Sequence, residues 1–116
     1  MNSNKYLETV ARPFWNKACE IYPKLKSFVM PSIHLDGRIK KNLAYNWQER
    51  EQIRISKRFY QVNKELYKSD IIGHEIAHQI VFNLFGPVSD DHGGEWIEVM
   101  LALDLNPLTH YEVNYD

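Results

Sequence analysis

From Ile71 to Phe85 the chain sets Ile72, Ile76 and Ile80 four residues apart, with Ala77, Val81, Leu84 and Phe85 beside that row, and then meets Gly86-Pro87. This commits the centre of the sequence to a helix with one side in a core, because apolar residues at that spacing share a face and Gly-Pro cannot prolong it. Ser69 or Asp70 stands where a cap is expected. The same helix carries His74-Glu75-Ile76-Ala77-His78. Two histidines four residues apart project from nearly one side, about 5.4 Å apart along the axis. Gly73 beside them costs roughly 1 kcal/mol relative to alanine in a helix interior, which argues that something approaches closely there.

Around this helix the chain has the means for one small core. With 116 residues, 44% hydrophobic and 25% charged, it reads as a single globular domain spanning residues 1–116. The N-terminus is polar, and no run approaches the ~18 apolar residues of a membrane span, so a cytosolic monomer without membrane contact is expected. Cys19, the sole cysteine, forms no internal disulfide and reads as a small core residue. Asn4 to about Ile21 has helical spacing, with Pro13 predicting a kink or a division. Asp36-Gly37, between Ser32–Leu35 and Arg38-Ile39, predicts a two-residue hairpin, since both positions tolerate positive φ. A second strand continues through Leu43, Tyr45 and Trp47, and a third, Gln52 to Ser56, puts Ile53 and Ile55 on one face. Lys57 to Leu66 reads as helical or mixed, a last helix runs from about Gly93 to Leu103, and Asn106 onward is an irregular tail. The fold class is α+β: a small, mainly antiparallel sheet packed on an N-terminal helix and the histidine-bearing helix, with a C-terminal helix.

His74 and His78 form a chelating pair, for two imidazole nitrogens on a rigid helix can each hold one zinc ion at about 2.0–2.1 Å. Glu75 lies too far round the helix to be an equal ligand but within reach of a water on the metal. Such a site polarises a carbonyl and acidifies the water, whose proton Glu75 takes as general base. After the turn at Gly86-Pro87, His92, Glu95 and Glu98 are all candidates for a third ligand. The ordinary alternative is a pair of partly buried histidines satisfied by backbone or carboxylate groups.

The downstream residues resemble a known family. His74, Glu75 and His78, followed by Phe85-Gly86 and then by His92, Gly93 and Trp96, are similar to the motif of the SprT-like metallopeptidases, related to the Spartan proteases of DNA-protein crosslinks. The likeness extends to Ala44-Tyr45, Ile53–Ser56, Leu105-Asn106-Pro107 and His110-Tyr111. It implies a zincin-like fold, His74, His78 and His92 as ligands of one zinc ion, and Glu75 as general base of a peptidase. Glu95 becomes an orienting residue or second-choice ligand, Trp96 a core residue and His110 a tail histidine. Many relatives continue into a Cys-rich zinc ribbon or a DNA-binding tail, whereas no cysteine follows Cys19 here. The rival reading is a non-catalytic zinc-containing module that binds DNA or protein.

Charge is divided along the chain. All 14 Lys and Arg lie between Lys5 and Lys68, against six acids in residues 1–69, a charge of +8, and nine acids without a Lys or Arg follow from Asp70, a charge of −9. The balance is far from that of a dedicated DNA binder. If DNA is a partner, the expected surface is Arg38, Lys40, Lys41, Arg50, Arg54, Lys57 and Arg58. Tyr45, Trp47, Phe59 and Tyr60 offer stacking there, although burial in the sheet core is the ordinary expectation for each ring taken singly.

Overall fold

A computed structural model describes residues 3–115. The first helix, α1 (Ser3–Ile21), buries Leu7, Ala11, Trp15 and Ala18, a stripe at helical spacing. It runs unbroken through Pro13. The proline is exposed, so the carbonyl it leaves unpaired faces water, and the stripe holds both halves to one surface.

Three strands follow, β1 (Ser32–Asp36), β2 (Ala44–Trp47) and β3 (Gln52–Ser56), in the order β1-β3-β2. β3 is parallel to β1 and antiparallel to β2, so the sheet is mixed rather than mainly antiparallel. The hairpin expected at Asp36-Gly37 does not form. A turn is present, with Asp36 Oδ1 accepting from Arg38 N at 2.9 Å, but neither Asp36 nor Gly37 takes the positive φ that folds a strand straight back. The chain instead crosses the end of the sheet. Ser56 holds the crossing segment, donating from N to Leu43 O and from Oγ to Ile39 O. β2 then enters on the far side, and a tight turn with Glu51 at φ 52° leads β3 back through the middle.

Ile33, Ile53 and Ile55 face the core and are fully buried. On β2 the inward residues are Ala44 and Asn46, while Tyr45 and Trp47 point to solvent, against the burial expected of them. Asn46 is tolerated inside because its amide donates to Gln79 Oε1 at 2.9 Å and to Gln52 O at 3.2 Å. Phe59 and Tyr60 are buried, as expected of sheet-flanking aromatics. The outer edge of β1 is closed by α1, where Asn4 Oδ1 accepts from Leu35 N and Glu8 Oε2 from Ile33 N.

After α2 (Lys57–Val62), N-capped by Ser56 Oγ at Phe59 N, a single turn α3 (Lys64–Leu66) passes through a π-helical turn, Tyr67–Ile71, into α4 (Ile72–Phe85). No side chain caps α4, and Ser69 Oγ bonds back to Leu66 O instead. The helix needs no cap because its first amides find carbonyls in the preceding turn. Ile72, Ile76, Ala77 and Ile80 are fully buried, and Gly86 ends the helix at φ 74°. At Gly73 the close neighbours are Leu105 and Phe14: a Cβ there would lie 2.5 Å from Leu105 Cδ1. The missing side chain serves core packing. The last helix, α5 (Gly94–Ala102), lies against α4 through Trp96, Val99 and Met100. No helix among the described residues is long and apolar enough to cross a membrane.

Asp36 joins the crossing segment to the sheet. Its carboxylate, 7% exposed, accepts from Arg38 Nε and Nη2 at 3.0 Å each and from Arg54 Nε at 2.9 Å. These bonds, Arg38 foremost, hold its pKa well below the usual carboxylate range. With a folded pKa below the unfolded value of ~3.9, this stabilisation is complete above that value and is lost as the pH falls through the folded one. Asp36→Asn should therefore lower the melting temperature near neutral pH, and the gap should close as the pH drops below about 4. Calorimetry across that range checks it, and a gap independent of pH would contradict it.

Candidate metal centre

His74 and His78 leave α4 one turn apart, and their Nε2 atoms stand 3.1 Å from each other. His92 arrives from the connection between α4 and α5, where Asp90 fixes the approach: its Oδ1 accepts from His92 N and its carbonyl from Gly93 N, both at 3.1 Å. One donor atom from each histidine lies within 4.8 Å of the others, a cluster placed to hold a metal ion. Trp96 forms its floor. The indole lies 4.9, 5.4 and 4.7 Å from the ring centres of His74, His78 and His92, nearly parallel to His78 and edge-on to the other two.

The residues fit such an ion on two counts. Nε2 of His92 is buried with no hydrogen-bond partner, a costly condition unless its lone pair has another use. Two nitrogens bound at ~2.05 Å in tetrahedral geometry would lie ~3.4 Å apart, close to the separation of His74 and His78. Burial, reinforced by the neighbouring histidines, pushes the His74 pKa down to about 3, and burial together with His92 pushes that of His78 down to about 4. Both rings are thus neutral near pH 7, with lone pairs free to ligate.

Glu75 sits against the cluster, with Oε2 3.8 Å from His74 Nε2. Burial pushes its carboxyl up to about 7. The residue that sequence reasoning leaves without a role is Tyr111. Its hydroxyl lies 3.0 Å from His74 Nδ1, so when Nε2 keeps its lone pair toward the cluster, Nδ1–H donates to Tyr111 Oη. No periodicity could reveal this, for Tyr111 belongs to the irregular tail. Asn63 straps that tail down like a strand partner, its Oδ1 accepting from Asn114 N at 2.8 Å and its Nδ2 donating to Asn114 O at 3.0 Å.

A cleft of about 500 Å³ opens over the site, between residues 41–45 on one side and the tail from Thr109 to Tyr115 on the other, with His74, Glu75 and His92 along its base. His110 is exposed on its wall. Among the described residues neither His110 nor Glu95 joins the donor cluster. His34 pairs with Ser32 Oγ at 2.9 Å, far along the sheet. Of the basic residues, Arg38, Lys40, Lys41 and Arg54 line a separate hollow on the outer sheet face, and Lys57 and Arg58 a neighbouring one with Lys40.

The family model described as SprT-like matches residues 6–114. Similar curated proteins include Protein SprT of Pasteurella multocida, 36% identical over 76 residues, which are 65% of this chain and 44% of that protein. Protein SprT of Pseudomonas paraeruginosa is 38% identical over 78 residues, 67% of this chain and 47% of that protein. Protein SprT of Vibrio parahaemolyticus is 30% identical over 91 residues, 76% and 54% respectively. The chain spans about half the length of the curated relatives it matches. No solved structure matches it significantly.

Tyr111→Phe should weaken divalent-metal binding by roughly tenfold or more, the usual cost of losing a partner that orients a ligating histidine. Competition with a chromophoric chelator measures it. Unchanged affinity would remove Tyr111 from the site.

Proposed function

The chain belongs to the SprT-like family, and from that premise we propose that it is a zinc-dependent endopeptidase with Glu75 as general base. The observation that carries this reading is the unpartnered, buried Nε2 of His92, a residue whose ring clusters with those of His74 and His78, with the partly buried carboxyl of Glu75 beside them in one cleft. Three neutral imidazoles suit zinc, and three protein ligands with no fourth in the cluster among the described residues are the arrangement of a catalytic rather than a structural site. Zinc held by His74, His78 and His92 supplies a Lewis acid that polarises a peptide carbonyl and acidifies water.

The chain's own groups do the rest. Glu75 takes a proton from the attacking water on a carboxylate oxygen and returns it to the departing amine. A carboxyl raised toward neutrality by burial suits both halves of that task, because it neither holds nor refuses the proton strongly. Tyr111 fixes the ring of His74, and Trp96 fixes the positions of all three rings. β2 is an edge strand, and Leu43 to Tyr45 line the cleft, so an extended polypeptide can add to its free edge through main-chain hydrogen bonds. Recognition of that kind reads backbone more than side chains, which favours substrates of varied sequence. Following the resemblance to Spartan proteases, DNA-associated or DNA-crosslinked proteins are the proposed substrates. The same reading has the domain act as a cytosolic monomer.

Glu75→Gln should slow cleavage of an unfolded protein such as reduced casein by about a hundredfold or more, within the usual range for a lost general base, with zinc content unchanged. Product analysis alongside metal analysis reads both quantities. Equal cleavage by the two zinc-loaded proteins would exclude Glu75 as the base.

A further inference from the structure

The three histidines are flanked by two recesses. On the side of His74, Glu75 and His92 lies the open cleft of about 500 Å³. On the side of His78 lies a smaller and more enclosed pocket of about 80 Å³. Its walls are Val81 and Phe82, one turn beyond His78 on α4, Pro87 and Val88 of the connection to α5, and Gln48, which follows β2. Gly86, at φ 74°, ends α4 and lets Pro87 and Val88 fold back along it. The fully buried Gln79 donates from Nε2 to Gln48 O at 3.1 Å, which ties this end of β2 to the helix.

β2 passes both recesses in turn, for residues 43–45 line the cleft and Gln48 the pocket. A polypeptide added to the free edge of β2 therefore lies across both, with the histidines between them. The chemistry sets its direction. Glu75 returns a proton to the departing amine, and that amine begins the carboxyl-terminal half of the substrate. Glu75 lines the cleft and not the pocket, so the carboxyl-terminal half occupies the cleft and the amino-terminal half passes over the pocket. The substrate then runs antiparallel to β2.

We infer that the pocket beside His78 is a specificity subsite that receives a substrate side chain from the amino side of the scissile bond and accepts only a small, uncharged one. Side chains alternate along an extended chain, so of the two residues before the scissile bond one points toward the pocket and the other away. A volume of about 80 Å³ is the room of roughly two or three waters, enough for an alanine, serine or valine side chain but not for an aromatic ring or an arginine. A larger group would have to displace the walls, which costs binding. A charged group would lose its water against Val81, Phe82, Pro87 and Val88, and an acidic one would also meet the carboxylate of Asp91, which lies in the lining. The inference rests on the peptidase reading and deepens it, adding selectivity at one position to a contact that otherwise reads backbone.

Two measurements test it. The first is mass-spectrometric mapping of the bonds that the zinc-loaded protein cuts in a proteome-derived peptide library. At one of the two positions before the cut, glycine, alanine, serine and valine should be enriched over aromatic, arginine and acidic residues by roughly tenfold or more. The second needs no cleavage: calorimetric titration of the zinc-loaded protein with acyl-dipeptide hydroxamates, whose hydroxamate ligates zinc and whose two residues lie on the amino side. Exchanging alanine for phenylalanine at one of the two positions should weaken binding by roughly tenfold or more. Phe82→Ala should remove most of that difference with zinc content unchanged. Phe82→Leu should remove part of it, and serves if the alanine variant does not fold. A size preference among hydroxamates without cleavage of any library peptide would sink the peptidase reading and leave the pocket assigned. Cleavage or hydroxamate binding indifferent to side-chain size at both positions overturns the inference, as does a preference that the folded Phe82 variants leave unchanged. Hydroxamates that fail to bind at all overturn both.

Discussion

Three imidazoles and a carboxyl group converge where little water reaches them, and the cost of burying them organises much of the domain around α4. Buried polar atoms need partners or they destabilise the fold. Tyr111 partners the far nitrogen of His74, Trp96 supplies apolar contact to all three rings, and Asp90 holds the backbone of His92 in place. What is left over is His92 Nε2, buried without a hydrogen-bond partner. Ligation of a metal ion would account for that unsatisfied polarity and would let the neutral rings coexist at close range.

The cluster in turn depends on distant contacts. Tyr111 meets His74 from a tail that Asn63 ties down at Asn114, 51 residues later in sequence, and that follows Leu105, which packs where Gly73 has no side chain. β2 reaches the rim of the cleft after the chain crosses the end of the sheet, where Ser56 and Asp36 fasten it. The crossing segment contributes to two surfaces at once, the wall of the metal cleft and the basic hollow on the outer sheet face.

Helical periodicity makes α1, α4 and the pairing of His74 with His78 legible in the sequence, because every contact involved lies within one or two turns. It leaves His92, Glu95 and Glu98 open as a third ligand, since only the path of the chain after Gly86 brings one donor, His92, to the pair. Local pattern misleads at Asp36-Gly37, where the dipeptide fits a hairpin but the ion pairs of Asp36 with Arg38 and Arg54 favour a turn that sends the chain across the sheet. It misleads again on β2, where Tyr45 and Trp47 read as inward. The inner position belongs to Asn46, whose hydrogen bonds to Gln79 and Gln52 no alternation rule anticipates. The role of Tyr111 is invisible at sequence level, for it depends on a contact 37 residues away from an irregular segment.

Zinc at the three histidines can be located by an anomalous-scattering crystal structure of the zinc-loaded protein, recorded on both sides of the zinc absorption edge. A catalytic site of three histidines should show one zinc peak about 2.0–2.1 Å from a nitrogen of each of His74, His78 and His92, with no fourth protein ligand. The absence of a peak there would contradict it. So would a closed shell completed by Glu95 or His110, which would make the site structural.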